Sequence, residues 1–213
     1  MKQLYIKDVK VSALYLVLFA LFIIITYVFH VNSIGISMMI MLGFVVLMFY
    51  FDSHNQVYRS LVSMPLRRKQ FVLARYIFLY TTTIGFILLI WLMDYISLNI
   101  VPSLGNFTFL TAENIVQNLF VISLLMAISL PIFYSIKSFS HAMIVFMVTH
   151  VVFLYTYTIF TGNSYITVDE KISSFIHPIL NIQPYLLPLL ASLFVIGISY
   201  FVSVYYFTRR DIE

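Results

Sequence analysis

Cysteine is absent from the chain, which excludes disulfides, thiolate metal sites and cysteine nucleophiles. Charge is scarce as well. Only 9% of residues are charged, against about 25% in an ordinary soluble domain, so there is too little polar surface to wet a globule. The six glycines are scattered and form no G-x-x-x-x-G-K-[ST] phosphate cradle, which rules out that mode of nucleotide binding. No G-x-S-G serine site and no pair of glutamates on one apolar run occurs. His141 and His150 are nine residues apart, and no H-x-x-x-H or H-E-x-x-H exists, so a histidine metal site lacks support. No basic stripe accompanies a soluble domain, which argues against nucleic acid as a partner.

What the chain has in abundance is apolar surface. Of its 213 residues 62% are hydrophobic, and the mean hydropathy is +1.00. About 20 apolar residues cross a bilayer as a helix. The hydrophobic runs predict an all-α membrane protein with six transmembrane helices, near 12–31, 34–51, 76–98, 115–136, 139–160 and 184–207. The runs are too long and too continuously apolar for barrel strands, which alternate over about 10 residues. The first run follows three lysines but is longer than a signal-peptide core and meets no small-x-small cleavage site. It is therefore read as a retained span. Residues 1–213 read as a single transmembrane domain, without internal repeat or low-complexity linker.

Charge placement orients this plan. Eleven of the twelve Lys and Arg residues fall before the first span, between the second and third, between the fourth and fifth, or after the last; only Lys171 lies elsewhere. That asymmetry predicts cytoplasmic N- and C-termini and an even number of spans. On the outer side, 161–183 reads as short interfacial or re-entrant helices broken by Pro178. Tyr27, Tyr50, Tyr76, Trp91, Tyr95, Tyr185, Tyr205 and Tyr206 lie near span ends and suit aromatic belts.

Within the spans ionisable groups are few. Asp94 and Glu113 fall close to outer ends and are expected to reach water; the alternative is an acidic exit that attracts cationic cargo. His150 lies near the middle of the fifth span and is a candidate intramembrane functional residue, against the plainer reading of an imidazole bonded to a neighbouring helix. Pro131 is expected to kink the fourth span.

The segment His54–Tyr76, HNQVYRSLVSMPLRRKQFVLARY, is the one sizeable polar stretch on the inner face. Val57, Leu61 and Met64 recur at helical spacing, and Pro65 should end that helix. The charges alone are also explained as positive-inside residues touching anionic lipid. The detailed run Ser63-Met64-Pro65-Leu66-Arg67-Arg68-Lys69-Gln70-Phe71-Val72-Leu73-Ala74-Arg75-Tyr76 resembles the inner-loop motif of type-2 ABC exporter permeases. It departs from that motif at Met64, where leucine is usual, and at Arg67, where a small polar residue is. The ending Tyr205-Tyr206-Phe207-Thr208-Arg209-Arg210-Asp211-Ile212 and the opening Leu4-Tyr5-Ile6-Lys7-Asp8-Val9-Lys10 are similar to the family's aromatic and basic tail and its amphipathic entry helix.

The resemblance implies a coupling helix within the inner loop 52–75 that sits in a cleft of an ATPase subunit. Carried over by position, it comprises Arg59, Ser60, Leu61, Val62, Ser63, Met64, Pro65, Leu66, Arg67 and Arg68. Leu61, Val62 and Met64 would make apolar contacts, and Arg59, Arg67 and Arg68 polar ones. The resemblance further implies two separate ATPase subunits that bind ATP and Mg, no cofactor in this chain, and no catalysis by it. It implies a second permease, identical or a sister, and a bacterial plasma membrane. Small permeases of this appearance resemble exporters of antimicrobial or cytolytic peptides, including the phenol-soluble modulin exporters, so an amphipathic peptide is the expected cargo. Two other readings compete: the substrate-binding membrane subunit of a vitamin importer, and a peptide-immunity protein that transports nothing.

Overall fold

The computed structural model describes residues 2–28, 34–55, 68–99, 111–160, 183 and 185–209. Among them are six helices and no strand: α1 Lys2–Val28, α2 Ile34–His54, α3 Arg68–Asn99, α4 Ala112–Ser135, α5 Phe139–Phe160 and α6 Leu186–Arg209. Five of these, all but α2, are long and apolar enough to cross a membrane; α2 contributes a shorter apolar stretch, Met41–His54. The full α2 has 21 residues, which at about 1.5 Å each matches the hydrocarbon thickness of about 30 Å.

Two helices extend beyond the runs expected from hydropathy. α1 is continuous from Lys2, so the opening Leu4–Lys10 and the apolar run that follows are one helix. No glycine or proline interrupts that stretch. Leu4, Asp8 and Ser12, spaced four apart, are all buried and so form a single inward face. α3 begins at Arg68, ahead of the expected Tyr76, and runs for 32 residues. The segment after Pro65 is rich in helix formers, so the helix outlasts its apolar part. Arg68, Lys69 and Arg75 therefore sit on helix rather than in a loop. The expected outer helices of 161–183 lie almost wholly outside the described residues.

α1 and α3 run side by side in the same direction. Asp8 meets Arg75, Phe19 meets Phe86 and Tyr27 meets Asp94, each pair separated by 67 residues in sequence. A constant offset is what two parallel helices in fixed register give. α4 and α6 make the most extensive helix pair and are also parallel: Ser199 contacts Ala127, and the rings of Tyr134 and Phe207 lie 5.2 Å apart. Stacked rings of Phe49 and Phe133, 4.6 Å apart, join α2 to α4. Wide apolar faces remain outside this packing, including Leu14 and Leu18 of α1, Met147 and Val151 of α5, and Phe194 and Phe201 of α6. In a membrane those faces meet lipid at no cost, because lipid tails are as apolar as they are.

α4 passes through Pro131. Proline lacks the amide hydrogen that would bond to the carbonyl four residues earlier, and that carbonyl belongs to Ala127. The hydroxyl of Ser199 on α6 donates to Ala127 O at 2.8 Å. The freed backbone acceptor is thus satisfied by a neighbouring helix, which is how intramembrane prolines are tolerated. Ser199 Oγ in turn lies 2.7 Å from the Tyr76 hydroxyl, and Ser203 Oγ lies 2.8 Å from that same hydroxyl. One ordering of protons serves every group: Ser203 donates to Tyr76, Tyr76 to Ser199, and Ser199 to Ala127. The relay ties α3, α4 and α6 together. Ser199→Ala is expected to destabilise the fold by about 1 kcal/mol, and by less in a Pro131→Ala background, where the amide donor returns. Reversible unfolding in micelles, analysed as a double-mutant cycle, measures the difference; equal costs in both backgrounds would show that Ser199 does not serve Ala127.

Candidate functional site

The end of the bundle where α2 closes and α3 opens carries most of the basic residues. There, three helices each bring one charged side chain inward. Asp8 is the middle residue of α1's inward face of Leu4, Asp8 and Ser12; Asp52 lies in the last turn of α2; Arg75 lies two turns into α3. Arg75 Nη1 is 3.3 Å from Asp8 Oδ1, and its Nη2 is paired with Asp52 Oδ2. Nη1 also reaches Met48 Sδ at 3.6 Å, and the Phe71 ring centroid lies 5.5 Å from the guanidinium carbon. Relative exposures are 1% for Arg75, 4% for Asp8 and 5% for Asp52. Charges so buried stand only when paired with good geometry. The planar fork of arginine, with five donors, suits two carboxylates at once.

Between α1 and α2, beside this triad, lies a cavity of about 210 Å³. Its polar wall is Lys7, Asp8, Ser12, Asp52, Asn55 and Arg75; its apolar wall is Val11, Tyr15, Phe44, Leu47, Met48 and Phe51. Among the described residues no cluster of three or more His, Cys, Asp or Glu is placed to hold a metal ion.

Of the sequence-predicted coupling residues, Arg59 to Arg67 lie outside the described residues. Arg68 opens α3, and its Nη1 donates to the carbonyls of Thr208 at 3.0 Å and Phe207 at 3.4 Å. These are terminal carbonyls of α6, where a cation also complements the helix dipole. The two stems of the 56–67 connection are therefore anchored twice: to α1 through Asp52 and Arg75, and to α6 through Arg68.

His150 lies buried between α5 and α4. Its Nδ1 is 2.8 Å from Phe146 O and its Nε2 is 2.9 Å from Ser129 Oγ. A neutral imidazole with hydrogen on Nδ1 fits both contacts, donating to the carbonyl and accepting from the serine. Ser129 has an alternative acceptor in Leu125 O, at 2.6 Å.

Asp94 corrects the sequence reading. Expected to reach water, it is 2% exposed and accepts a 2.6 Å hydrogen bond from the Tyr27 hydroxyl. Tyr27 was expected in an aromatic belt and is instead fully buried, and Tyr76 is buried as well, whereas Tyr50, Trp91, Tyr95, Tyr185, Tyr205 and Tyr206 are exposed. A residue's distance from a span end says nothing about which side of the helix it occupies. The triad itself escaped the sequence reading. Its one signal was the presence of a charge of each sign at matching depth near the ends of the first three spans.

Arg75→Ala is expected to cost about 3–5 kcal/mol, because it leaves two carboxylates buried and unpaired. Adding Asp8→Asn and Asp52→Asn to it should recover part of that loss. Thermal unfolding of the purified variants reads both effects, and a triple variant no more stable than Arg75→Ala alone would contradict the pairing. His150→Leu is expected to cost about 0.6 kcal/mol as a lost interhelical contact. Transport that survives this change at every pH marks His150 as a strut between helices, and a pH-dependent loss assigns it a functional role.

Comparison with known proteins adds a family to this geometry. Neither the curated proteins nor the solved structures yield a match. A family model described as ABC-2 family transporter protein matches residues 3–208. The match covers all six helices almost end to end, so the chain belongs to the ABC-2 transporter family and is a multi-pass membrane component of an ABC transporter.

Proposed function

We propose that the chain is the permease subunit of an ATP-driven exporter that moves amphipathic or apolar peptides out of a bacterial cell across its plasma membrane. The observation that carries the permease reading is the family match over 3–208. It favours that reading over the vitamin-importer subunit and the peptide-immunity protein. Two separate ATPase subunits bind ATP and Mg, and this chain pairs with a second permease. The termini and the 56–67 connection face the cytoplasm, in keeping with the clustering of Lys and Arg.

In this mechanism the ATPase pushes on the 56–67 connection, with Leu61, Val62 and Met64 in its cleft and Arg59, Arg67 and Arg68 around them. The geometry at the stems supports the idea that such a push spreads. Asp52 and Arg75 clasp the two stems, Asp8 extends the clasp to α1, and Arg68 holds the end of α6. A displacement of the connection would then move four helices rather than two. The cargo assignment rests on the nearly uncharged spans and on the ten methionines, whose flexible side chains suit varied apolar ligands.

Mild extraction from the native membrane should retain a soluble partner with a phosphate-binding loop, identified by mass spectrometry. Replacing both Leu61 and Met64 by Asp should release it without unfolding the permease. Reconstituted with that partner, the permease should show ATP hydrolysis stimulated by an amphipathic cationic peptide. A partner that stays bound after the double replacement would refute the coupling residues. Hydrolysis indifferent to peptides but stimulated by a sugar lipid would refute the cargo.

A further inference from the structure

The cavity beside the triad has a composition that specifies a ligand class. Two carboxylates stand against one guanidinium, so the triad carries one negative charge in excess when both carboxylates are ionised. Lys7, on the same wall, supplies a second cation, and Asn55 and Ser12 supply neutral polar groups. A ligand that fits this set carries both signs: a group with N–H donors toward the surplus carboxylate charge, and an anion toward Lys7 and Asn55. The volume of about 210 Å³ equals that of about seven waters, enough for a small headgroup and too little for an acyl chain.

The cavity is also continuous with the lipid-facing surface. Val11 lines it and is 49% exposed. Leu14 and Leu18 extend the same exposed strip along α1 toward the middle of the span. α1 packs chiefly on α3 and only sparsely on α2, which is why the gap exists. The charged wall lies at the end of the bundle, where Asp8, Asp52 and Arg75 flank the apolar runs 12–31, 34–51 and 76–98, and the apolar strip runs inward from it.

We infer that this cavity is a binding site for a membrane phospholipid with a primary amine in its headgroup. The ammonium donates to the Asp8 and Asp52 carboxylates, the phosphate accepts from Lys7 and Asn55, and an acyl chain lies along Val11 and Leu14. The bound lipid fills the gap between α1 and α2. The assignment is independent of what the chain transports.

Native mass spectrometry of the purified full-length chain, titrated separately with phosphatidylethanolamine, phosphatidylcholine and phosphatidylglycerol, tests it. One phosphatidylethanolamine should be retained per chain. The other two should bind at least about tenfold more weakly, since phosphatidylcholine has no N–H to donate and phosphatidylglycerol has no cation. Leu47→Trp fills the cavity from its apolar wall and removes none of the triad's charges; it should abolish the preference while leaving the melting temperature within a few degrees of wild type. Asp52→Asn should reduce it as well. Equal retention of the three lipids overturns the assignment, as does an unchanged preference in Leu47→Trp. A lysine-bearing amphipathic peptide that displaces the lipid from wild type, and fails to bind Leu47→Trp, would also overturn it and make the cavity a cargo site.

Discussion

A guanidinium sealed among three helices must have its counter-charges brought to it, and that requirement organises one end of this protein. Arg75 lies at the basic end of the bundle with almost no exposure, between a carboxylate from α1 and one from α2. The desolvation of three ions is recovered only while all three stay together. The ends of α1, α2 and α3 are consequently held in one arrangement. The common offset of 67 residues along α1 and α3 begins at this contact and is closed at the far end by Tyr27 and Asp94. Between these polar ends the contact is aromatic.

The second half of the bundle is held by smaller means. Serines 192, 199 and 203 form a buried strip on α6 that lets it approach α4 closely, in the manner of small-residue interfaces in membranes. The same hydroxyls perform a second task. Pro131 leaves the Ala127 carbonyl without its helical donor, and Ser199 supplies one from across the interface. In a medium without water every polar group needs such a partner, so a proline on one helix creates a demand for a serine on another.

How much of the candidate site was legible in the sequence varies by residue. The sequence places Arg75 among the basic residues between the second and third spans, and nothing local to it shows that it is buried. Asp8 was noted within the opening segment and Asp52 was passed over. Depth in the membrane follows from position along an apolar run, whereas burial depends on rotation about the helix axis and on which neighbour lies there. For Asp94 and Tyr27 the same ambiguity led to water and an interfacial belt, and the structure places both inside. The coupling segment Arg59 to Arg67 rests on its motif, while Arg68 has a defined seat at the end of α6.

The sequence by itself determined that the chain is helical and apolar enough for a membrane, which segments form the helices, and toward which end the basic residues gather. Each of these depends on composition and local order: backbone groups in hydrocarbon must bond within their own helix, and runs of about 20 apolar residues are long enough to cross. Only the tertiary structure decided that Arg75 joins Asp8 and Asp52, that Ser199 serves the carbonyl beneath Pro131, and that a polar cavity opens between α1 and α2. Those contacts link residues 23 to 72 positions apart, and no local pattern encodes them. They follow from the rotation and pairing of helices, which are chosen by the need to leave no buried charge or hydroxyl without a partner.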